Sequence, residues 1–336
     1  MKGGVRGAVL LAAGLLALAA TLLVCPLFGS RPLDLGRALA EIGDPRSADA
    51  LVFFQLRLPR VLCALLVGGA LSLAGLALQG LTRNGLASEY TLGVASGGAF
   101  GAVLALRLGL AGALVGLPIS SFAALLGAGL VAVVVLGWAS RGGFDSGSLL
   151  LSGVTIGMIA SAGILLVQYL SDATQSHLMV RWLMGGMDVV GYGALLGILP
   201  FLVAGGLLVL LHGSELNQLL QGDELAAARG VAVRRVRGAV LAGVALLTGA
   251  AVSVAGPIGF VGLIVPHTLR LLGGLDQRRL GPLAVIWGGV FLALCDTVAR
   301  TILAPAEIPV GVLTALLGGP FFLWVLGSRR RRLTPL

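Results

Sequence analysis

Lysine is almost missing from this chain of 336 residues: its single copy is Lys2, at the N-terminus. A phosphate-binding loop of the G-x-x-x-x-G-K-[ST] type needs a lysine that reaches the phosphates. Charged side chains of every kind are also scarce, at 11% of the residues, against about 25% in soluble domains. The first scarcity excludes a P-loop nucleotide motor within this chain, and the second excludes an ordinary soluble domain.

Cysteine and histidine number three each. Cys25, Cys63 and Cys295 have neither metal-binding nor redox spacing, so we expect free thiols among apolar helices. A disulfide between Cys25 and Cys63 stays open as an alternative, because both fall near the same predicted membrane face. His267 is isolated, whereas metal sites need clustered ligands. Because no Ser–His–Asp set and no paired carboxylates stand at useful spacing, the sequence predicts no metal site, no bound cofactor and no catalytic residues.

Long apolar runs are what the chain has in abundance, with 57% hydrophobic residues and a mean hydropathy of +1.03. A helix needs about 20 apolar residues to cross the hydrocarbon core of a bilayer. Windows of that length predict ten spans, at residues 7–28, 61–81, 91–106, 111–138, 149–170, 193–212, 236–255, 257–273, 282–303 and 309–327. The third and the eighth are short or interrupted by Gly and Pro. The sequence therefore predicts an all-α polytopic membrane protein, with residues 1–336 forming one transmembrane domain.

A secretory signal is the alternative for the first run, since Lys2 and Arg6 precede it. The run is longer than the usual apolar region of about 7–15 residues, and no small-x-small cleavage site follows at Cys25-Pro26-Leu27. We therefore expect the first helix to be retained.

The arginines predict the orientation. With the N-terminus inside, 15 of the 23 Lys and Arg residues fall in inner segments and 8 in outer segments. Because positive residues concentrate on the cytoplasmic side, the sequence predicts cytoplasmic N- and C-termini. The net charge of +9 then reflects membrane topology and is no evidence of nucleic-acid binding.

Two segments outside the spans are long enough to have structure of their own: residues 29–60 on the outside and residues 213–236 on the inside. The inner segment predicts two short helices around a turn. Asp223 and Glu224 suit a helix N-terminus, and Gly230 suits a left-handed C-terminal cap. Such a compact helix pair either docks into a groove on a partner or is an ordinary helical hairpin.

Ionisable residues are nearly absent from the spans, and Asp296 is the clear exception. Arg300 follows it by one turn, within ion-pair reach. An ion-coupled secondary transporter, the alternative function for a chain with broken helices, is expected to carry several such residues in mid-span. Their scarcity argues against that alternative.

Glycine is patterned as well as abundant. Gly93, Gly97 and Gly101 recur every four residues, and Gly153 and Gly157 repeat the spacing. Small residues so placed let helices approach closely in lipid. Two explanations of this glycine repeat stay open: close packing of the helices, or a helix face that slides during transport.

Within the inner segment, the sequence from Gly222 to Val231 resembles the coupling loop of the FecCD family. Members of this family are permeases of binding-protein-dependent, ATP-driven importers for iron–siderophore, haem and cobalamin. Other blocks that resemble the family occur in its order over roughly residues 55–327: Arg57–Arg60, Gln79–Ala87, Leu92–Ala99, Trp182–Gly186, Gly256–His267, Asp296–Arg300 and Glu307–Gly311. Gly85 departs from the family's usual proline, which loosens that turn.

The resemblance implies a type II ABC importer permease of about ten transmembrane helices in the bacterial inner membrane, in contact with membrane lipid. It implies a second copy of the chain, two ATP-binding cassette subunits that hold ATP and Mg²⁺, and a periplasmic or lipoprotein substrate-binding protein. The cargo would be a metal chelate, with iron–siderophore or haem foremost and cobalamin next. The chain itself would be a transport subunit and not an enzyme.

The resemblance also implies roles for single residues. Those that would dock into the ATPase are Asp223, Glu224, Ala227, Ala228, Arg229 and Gly230. Those that would receive the binding protein are Arg57, Arg60 and Arg300. Those that would form the inner gate are Asn84, Leu86, Ser146 and Gly147. Those with a structural role are Gly256, Pro257, Gly259, Gly262, Pro266 and Asp296.

Overall fold

The computed structural model describes residues 2–29, 31–44, 46–114, 117–141, 146–274 and 276–333, with side chains described in all of these except 2–5, 139–146 and 326–333. In this part of the chain, helices account for nearly all regular structure. The α-helices are α1 (Lys2–Val24), α2 (Leu35–Ala40), α3 (Ala48–Leu51), α4 (Leu58–Thr82), α5 (Val94–Arg107), α6 (Ile119–Arg141), α7 (Ser146–Tyr169), α8 (Ala173–Leu183), α9 (Gly193–Leu211), α10 (Gly213–Leu219), α11 (Asp223–Ala228), α12 (Val233–Ala255), α13 (Val261–Gly273), α14 (Gln277–Ala299) and α15 (Val310–Leu333). A 3₁₀-helix, Cys25–Leu27, follows α1, and a π-helix, Val52–Arg57, joins α3 to α4.

Each of the ten predicted spans corresponds to an apolar helix. Seven are long and apolar enough to cross a membrane, and α5, α13 and the described part of α15 are shorter. The third and eighth spans, which the sequence shows to be short or interrupted, correspond to the short helices α5 and α13. This architecture confirms the predicted all-α polytopic fold.

The predicted starts of the fourth and ninth spans were wrong for local reasons. Residues predicted to open the fourth span instead form a two-stranded antiparallel hairpin, β1 (Ala113–Leu114) with β2 (Leu117–Pro118), so that α6 begins at Ile119. The ninth span begins at Gln277, five residues earlier than predicted, because the Asp276 carboxylate accepts a hydrogen bond from the Arg278 amide at 3.1 Å and caps the helix.

Helix α4 lies at the centre, and nearly all of it is buried. A helix that is apolar on every face belongs in the interior. It packs along α14 and α13 through glycines: a Cβ on Gly68 would lie 2.3 Å from the Gly288 carbonyl oxygen, and a Cβ on Gly75 would lie 2.0 Å from the Gly262 carbonyl oxygen. These contacts bring the backbones together as in small-residue interfaces of membrane proteins.

The patterned glycines lie at helix crossings. Gly97 and Gly101 contact α6, where a Cβ on Gly97 would lie 2.9 Å from the Gly127 carbonyl oxygen. Gly93 contacts α7, with its Cβ position 2.5 Å from the Gly153 carbonyl oxygen. In this structure the glycine repeat therefore serves close packing.

The chain is non-helical between α12 and α13, as the Gly- and Pro-rich sequence predicts. Gly256 ends α12 with φ +66° and Phe260 precedes α13 with φ +70°. The non-helical segment after α8 joins here, because the Gly186 amide donates to the Ala255 carbonyl at 2.9 Å. The start of α15 joins the same segment, because the Gly311 amide donates to the Gly185 carbonyl at 3.2 Å. The break is thus fixed by backbone hydrogen bonds between distant parts of the chain.

Candidate functional site

The coupling segment, residues 213–236, has the predicted form of two short helices, α10 and α11, around a turn. Asp223 and Glu224 lie in the first turn of α11. At its other end Gly230 has φ +86°, and its amide donates to the Ala227 carbonyl at 2.9 Å while the Val231 amide donates to the Ala226 carbonyl at 3.0 Å. This pair of bonds is the Schellman cap, and it requires the left-handed residue that Gly230 supplies.

Helix α11 is held to the body of the protein from one side. The Asp223 carboxylate receives a hydrogen bond from the buried Arg237 guanidinium at 2.8 Å and pairs with Arg83, at the end of α4, at 3.3 Å. Ala226, on the inward side of α11, is fully buried. Because the end of α4 and α12 both hold Asp223, the orientation of α11 is tied to the positions of these two helices.

The other side of α11 faces outward. Its exposed residues are Glu224, Leu225, Ala227, Ala228, Arg229 and Gly230. Five of these were predicted to dock, and Leu225, which is 43% exposed, was not. Leu225 could have been identified from the sequence, because it is a large apolar side chain among small and polar residues in a segment predicted to be exposed.

At the opposite end of α4 the three predicted docking arginines come together. This helix has 25 residues, which makes it about 37 Å long. Arg57, Arg60 and Arg300 line one cavity of about 510 Å³ together with Arg31 and Arg181. We call it the arginine cavity.

Two of these arginines are buried and bonded within the chain. Arg57 is 6% exposed, and its guanidinium donates to the carbonyls of Leu27, at 2.8 Å, and of Arg31. Arg300 is 2% exposed and donates to the Cys25 carbonyl at 2.8 Å. The more accessible cations of the cavity are Arg31 and Arg181, whose exposure no sequence pattern revealed.

Asp296 is buried next to the arginines of this cavity and has two of them as partners. Arg300, the partner that the sequence predicted, is 3.9 Å from it. Arg60 makes the closer pair, with Nε at 3.0–3.1 Å from both carboxylate oxygens and Nη2 at 2.9 Å from one. Arg60 also contacts Glu307 at 2.7 Å. The buried carboxylate therefore neutralises part of an arginine cluster contributed by α4 and α14.

Of the four predicted gate residues, Asn84 and Leu86 form one turn. The Asn84 Oδ1 accepts from the Leu86 amide at 3.0 Å, and the Asn84 carbonyl accepts from the Ala87 amide at 3.1 Å. Leu86 is 55% exposed. Gly147 is exposed in the first turn of α7, and the side chain of Ser146 lies outside the described residues.

A cavity of about 650 Å³ lies beside this turn, and we call it the central cavity. Its lining residues share the absence of any charge: Ser88, Tyr90, Leu183, Met184, Pro257, Gly259, Phe260, Leu263, Gly311, Val312, Ala315 and Leu316. The cavity thus borders the non-helical break before α13 and the start of α15.

The predicted structural residues differ in how strongly the geometry requires them. A Cβ on Gly256 would lie 2.6 Å from the Trp182 carbonyl oxygen, and one on Gly262 would lie 2.6 Å from a Glu89 carboxylate oxygen. A Cβ on Gly259 would make an ordinary contact, 3.6 Å from the Tyr90 ring. Pro257 lines the central cavity and Pro266 lies buried within α13.

The thiols of Cys25, Cys63 and Cys295 are buried and free, so the alternative disulfide between the first two is not formed here. Within the described ranges, no three His, Cys, Asp or Glu side chains gather in an arrangement suited to a metal ion.

The sequence model of the FecCD transport family matches residues 15–328. The chain belongs to the FecCD transport family. An ABC transporter permease of Bacillus subtilis described as uncharacterized is 42% identical, over 87% of this chain and 83% of its own length. The hemin transport system permease protein of Yersinia pestis is 38% identical, over 84% of each chain. A cobalamin import system permease protein of Halobacterium salinarum is 39% identical, over 87% of this chain and 77% of its own length.

A solved structure agrees with these relatives. It is described as an inward-facing conformation of a metal-chelate type ABC transporter, is 33% identical and superposes with a TM-score of 0.82, covering 95% of this chain and 98% of its own. This FecCD chain is therefore a multi-pass membrane protein and a permease subunit of an ABC importer. It is a transport subunit and not an enzyme, and ATPase subunits and a binding protein complete such an importer.

Proposed function

We propose that this FecCD permease carries a metal chelate across the bacterial inner membrane, with an iron–siderophore complex or haem as the foremost cargo and cobalamin next. Two copies of the chain would surround the passage, two ATP-binding cassette subunits would bind ATP and Mg²⁺, and a periplasmic or lipoprotein binding protein would deliver the cargo. The names of the relatives support this cargo class: hemin, cobalamin and a metal chelate.

The observation that carries the proposal is the form of α11. Its outward face combines small residues with one accessible leucine and the charged Glu224 and Arg229, while its other side is attached to α4 and α12 through Asp223. A helix that is exposed and yet anchored to two long helices can pass a displacement from an ATPase to the membrane part. The turn at Asn84 and Leu86 follows Arg83 directly, so the proposed gate is connected to the same anchor.

The lining of the central cavity supports an unselective passage. It offers a hydroxyl from Ser88 and one from Tyr90 among apolar side chains, and such a surface holds a large polar cargo weakly. Selectivity would then rest with the binding protein. Membership of the family speaks against the alternative, an ion-coupled secondary transporter.

Uptake into proteoliposomes tests the proposed function. With the ATPase and the binding protein added, we expect uptake of a ferric siderophore, haem or cobalamin only when ATP is present. Exchanging the binding protein should change which cargo enters. Cargo entry driven by an ion gradient through the purified chain alone would contradict the proposal.

The arginine cavity is the proposed seat of acidic residues of the binding protein. Arg57, Arg60 and Arg300 would supply the positive field, and Arg31 and Arg181 would make the accessible contacts. We expect Arg31→Glu with Arg181→Glu to weaken association of the binding protein about tenfold at low ionic strength and less at high salt. Surface plasmon resonance on the reconstituted importer measures this.

The matched control reverses Arg37 and Arg46, which are exposed on the same outer segment but do not line the cavity. It changes the net charge equally and should leave association nearly unchanged. Equal losses in the two double variants would indicate only a general charge effect.

A further inference from the structure

Glu89 is a buried carboxyl that sequence reasoning missed. It belongs to the loop of residues 83–93 between α4 and α5, is 1% exposed, and neither of its carboxylate oxygens has a hydrogen-bond partner on another residue. One of these oxygens lies 2.6 Å from the point that a Cβ on Gly262 would occupy, and the same point is 2.8 Å from the Leu71 carbonyl oxygen. The side chain thus fills the junction at which α4 and the start of α13 cross.

The charged groups of the surrounding elements are engaged elsewhere. Helix α4 has no ionisable residue from 64 to 82. On α13, Arg270 donates to the Gln79 side chain and to the Leu76 carbonyl, and the His267 ring packs against two phenylalanine rings. Tyr90, the neighbour on the same loop, turns to the central cavity. Among the described residues, no charged group acts on the Glu89 carboxyl to neutralise its ionised form.

Burial of a carboxyl group without a cationic partner favours its neutral, protonated form. Loss of water around the carboxyl raises the pKa of Glu89 to about 7 from its ordinary value of 4.5. Near neutral pH the group therefore exists in both forms while the loop is in its observed position.

The loop has two sides with different surroundings. Ser88 and Tyr90 line the central cavity, whereas Glu89 between them packs on α4 and α13. The turn formed by Asn84 and Leu86 belongs to the same loop. Any movement of Glu89 out of its seat therefore changes the shape of the cavity.

We propose that Glu89 is a proton-binding site: its neutral carboxyl seats residues 83–93 on α4 and α13, and release of the proton to water frees the loop and reshapes the central cavity. The stabilisation from the neutral form is fully present below the ordinary pKa of 4.5 and is lost as pH rises through about 7. Glu89→Gln keeps the shape and the neutrality of the seated acid at every pH.

Infrared spectroscopy of the purified chain in nanodiscs tests the proton directly. We expect the wild type to show a protonated-carboxyl band that fades between about pH 5 and pH 9 and that is absent in Glu89→Gln. A wild-type spectrum identical to that of Glu89→Gln throughout this range would overturn the proposal. This test needs neither cargo nor ATPase.

Thermal unfolding of the same samples tests whether the neutral Glu89 carboxyl stabilises the loop on α4 and α13. The melting temperatures of the wild type and Glu89→Gln should agree at acidic pH, and the wild type should fall several degrees below the variant at alkaline pH. Glu41→Gln removes an exposed carboxyl by the same substitution, and the same measurement on it is the matched control. A constant difference for Glu89→Gln would overturn the proposal.

The consequence for transport rests on the proposed function. In the reconstituted importer the uptake ratio of Glu89→Gln to wild type should change severalfold across the same pH range, because only the wild-type loop is released. A ratio that stays constant while the infrared band titrates would reject the coupling to the cavity. Failure of uptake in both proteins at every pH would instead reject the proposed function, which keeps the two outcomes distinct.

Discussion

Ala227→Trp is expected to abolish ATP-driven uptake and yet leave the permease folded. Ala227 is exposed on the outward face of α11, so the larger side chain meets no neighbour within the chain and costs little stability. On the proposed docking surface the same indole would hold the ATPase away from α11. A steric cost of about 3 kcal/mol lowers the association constant of a complex more than about 100-fold, and proteoliposome uptake should fall with it.

Two controls accompany this variant. Ala227→Ser keeps the residue small and should retain uptake, and Ala111→Trp makes the same change at an exposed position between α5 and β1. Each should copurify the ATPase as the wild type does. Normal uptake by Ala227→Trp would remove α11 from the coupling site.

Asp296→Asn is expected to destabilise the permease by about 3–5 kcal/mol, because it removes the charge from one side of a buried ion cluster. Asp296 is 1% exposed, and it pairs with Arg60 at 2.9 Å and with Arg300 at 3.9 Å. Without the carboxylate two adjacent arginine side chains lose their shared counterion. Thermal unfolding in detergent or nanodiscs measures the loss.

Asp188→Asn is the matched control, since Asp188 pairs with Arg181 at 2.9 Å while both side chains are more than 60% exposed. An exposed pair contributes about 0–1 kcal/mol, so this variant should melt close to the wild type. Replacing Arg60 and Asp296 together by leucine should recover part of the stability lost in Asp296→Asn. Equal melting temperatures for Asp296→Asn and Asp188→Asn would contradict the assignment of a buried cluster.

The coupling segment shows which structural features the local sequence can predict. Asp223 and Glu224 at a helix start and Gly230 at a helix end predicted the form of α11, because caps and dipoles act over a few residues. The attachment of Asp223 to Arg237 and Arg83 could not be predicted in the same way. Arg83 is distant in sequence, and only the folded arrangement of α4 and α12 brings both guanidinium groups to one carboxylate.

By itself, the amino-acid sequence determined that this protein is a bundle of about ten apolar helices, because hydropathy over about 20 residues reports burial in lipid directly. It also determined the family, through blocks of residues in a common order. Only the tertiary structure decided that Arg60 is the nearer partner of Asp296, that Arg57 and Arg300 are buried, and that Glu89 sits without a partner against Gly262. The charge state and accessibility of a side chain depend on which distant helices surround it, and no local pattern contains that information.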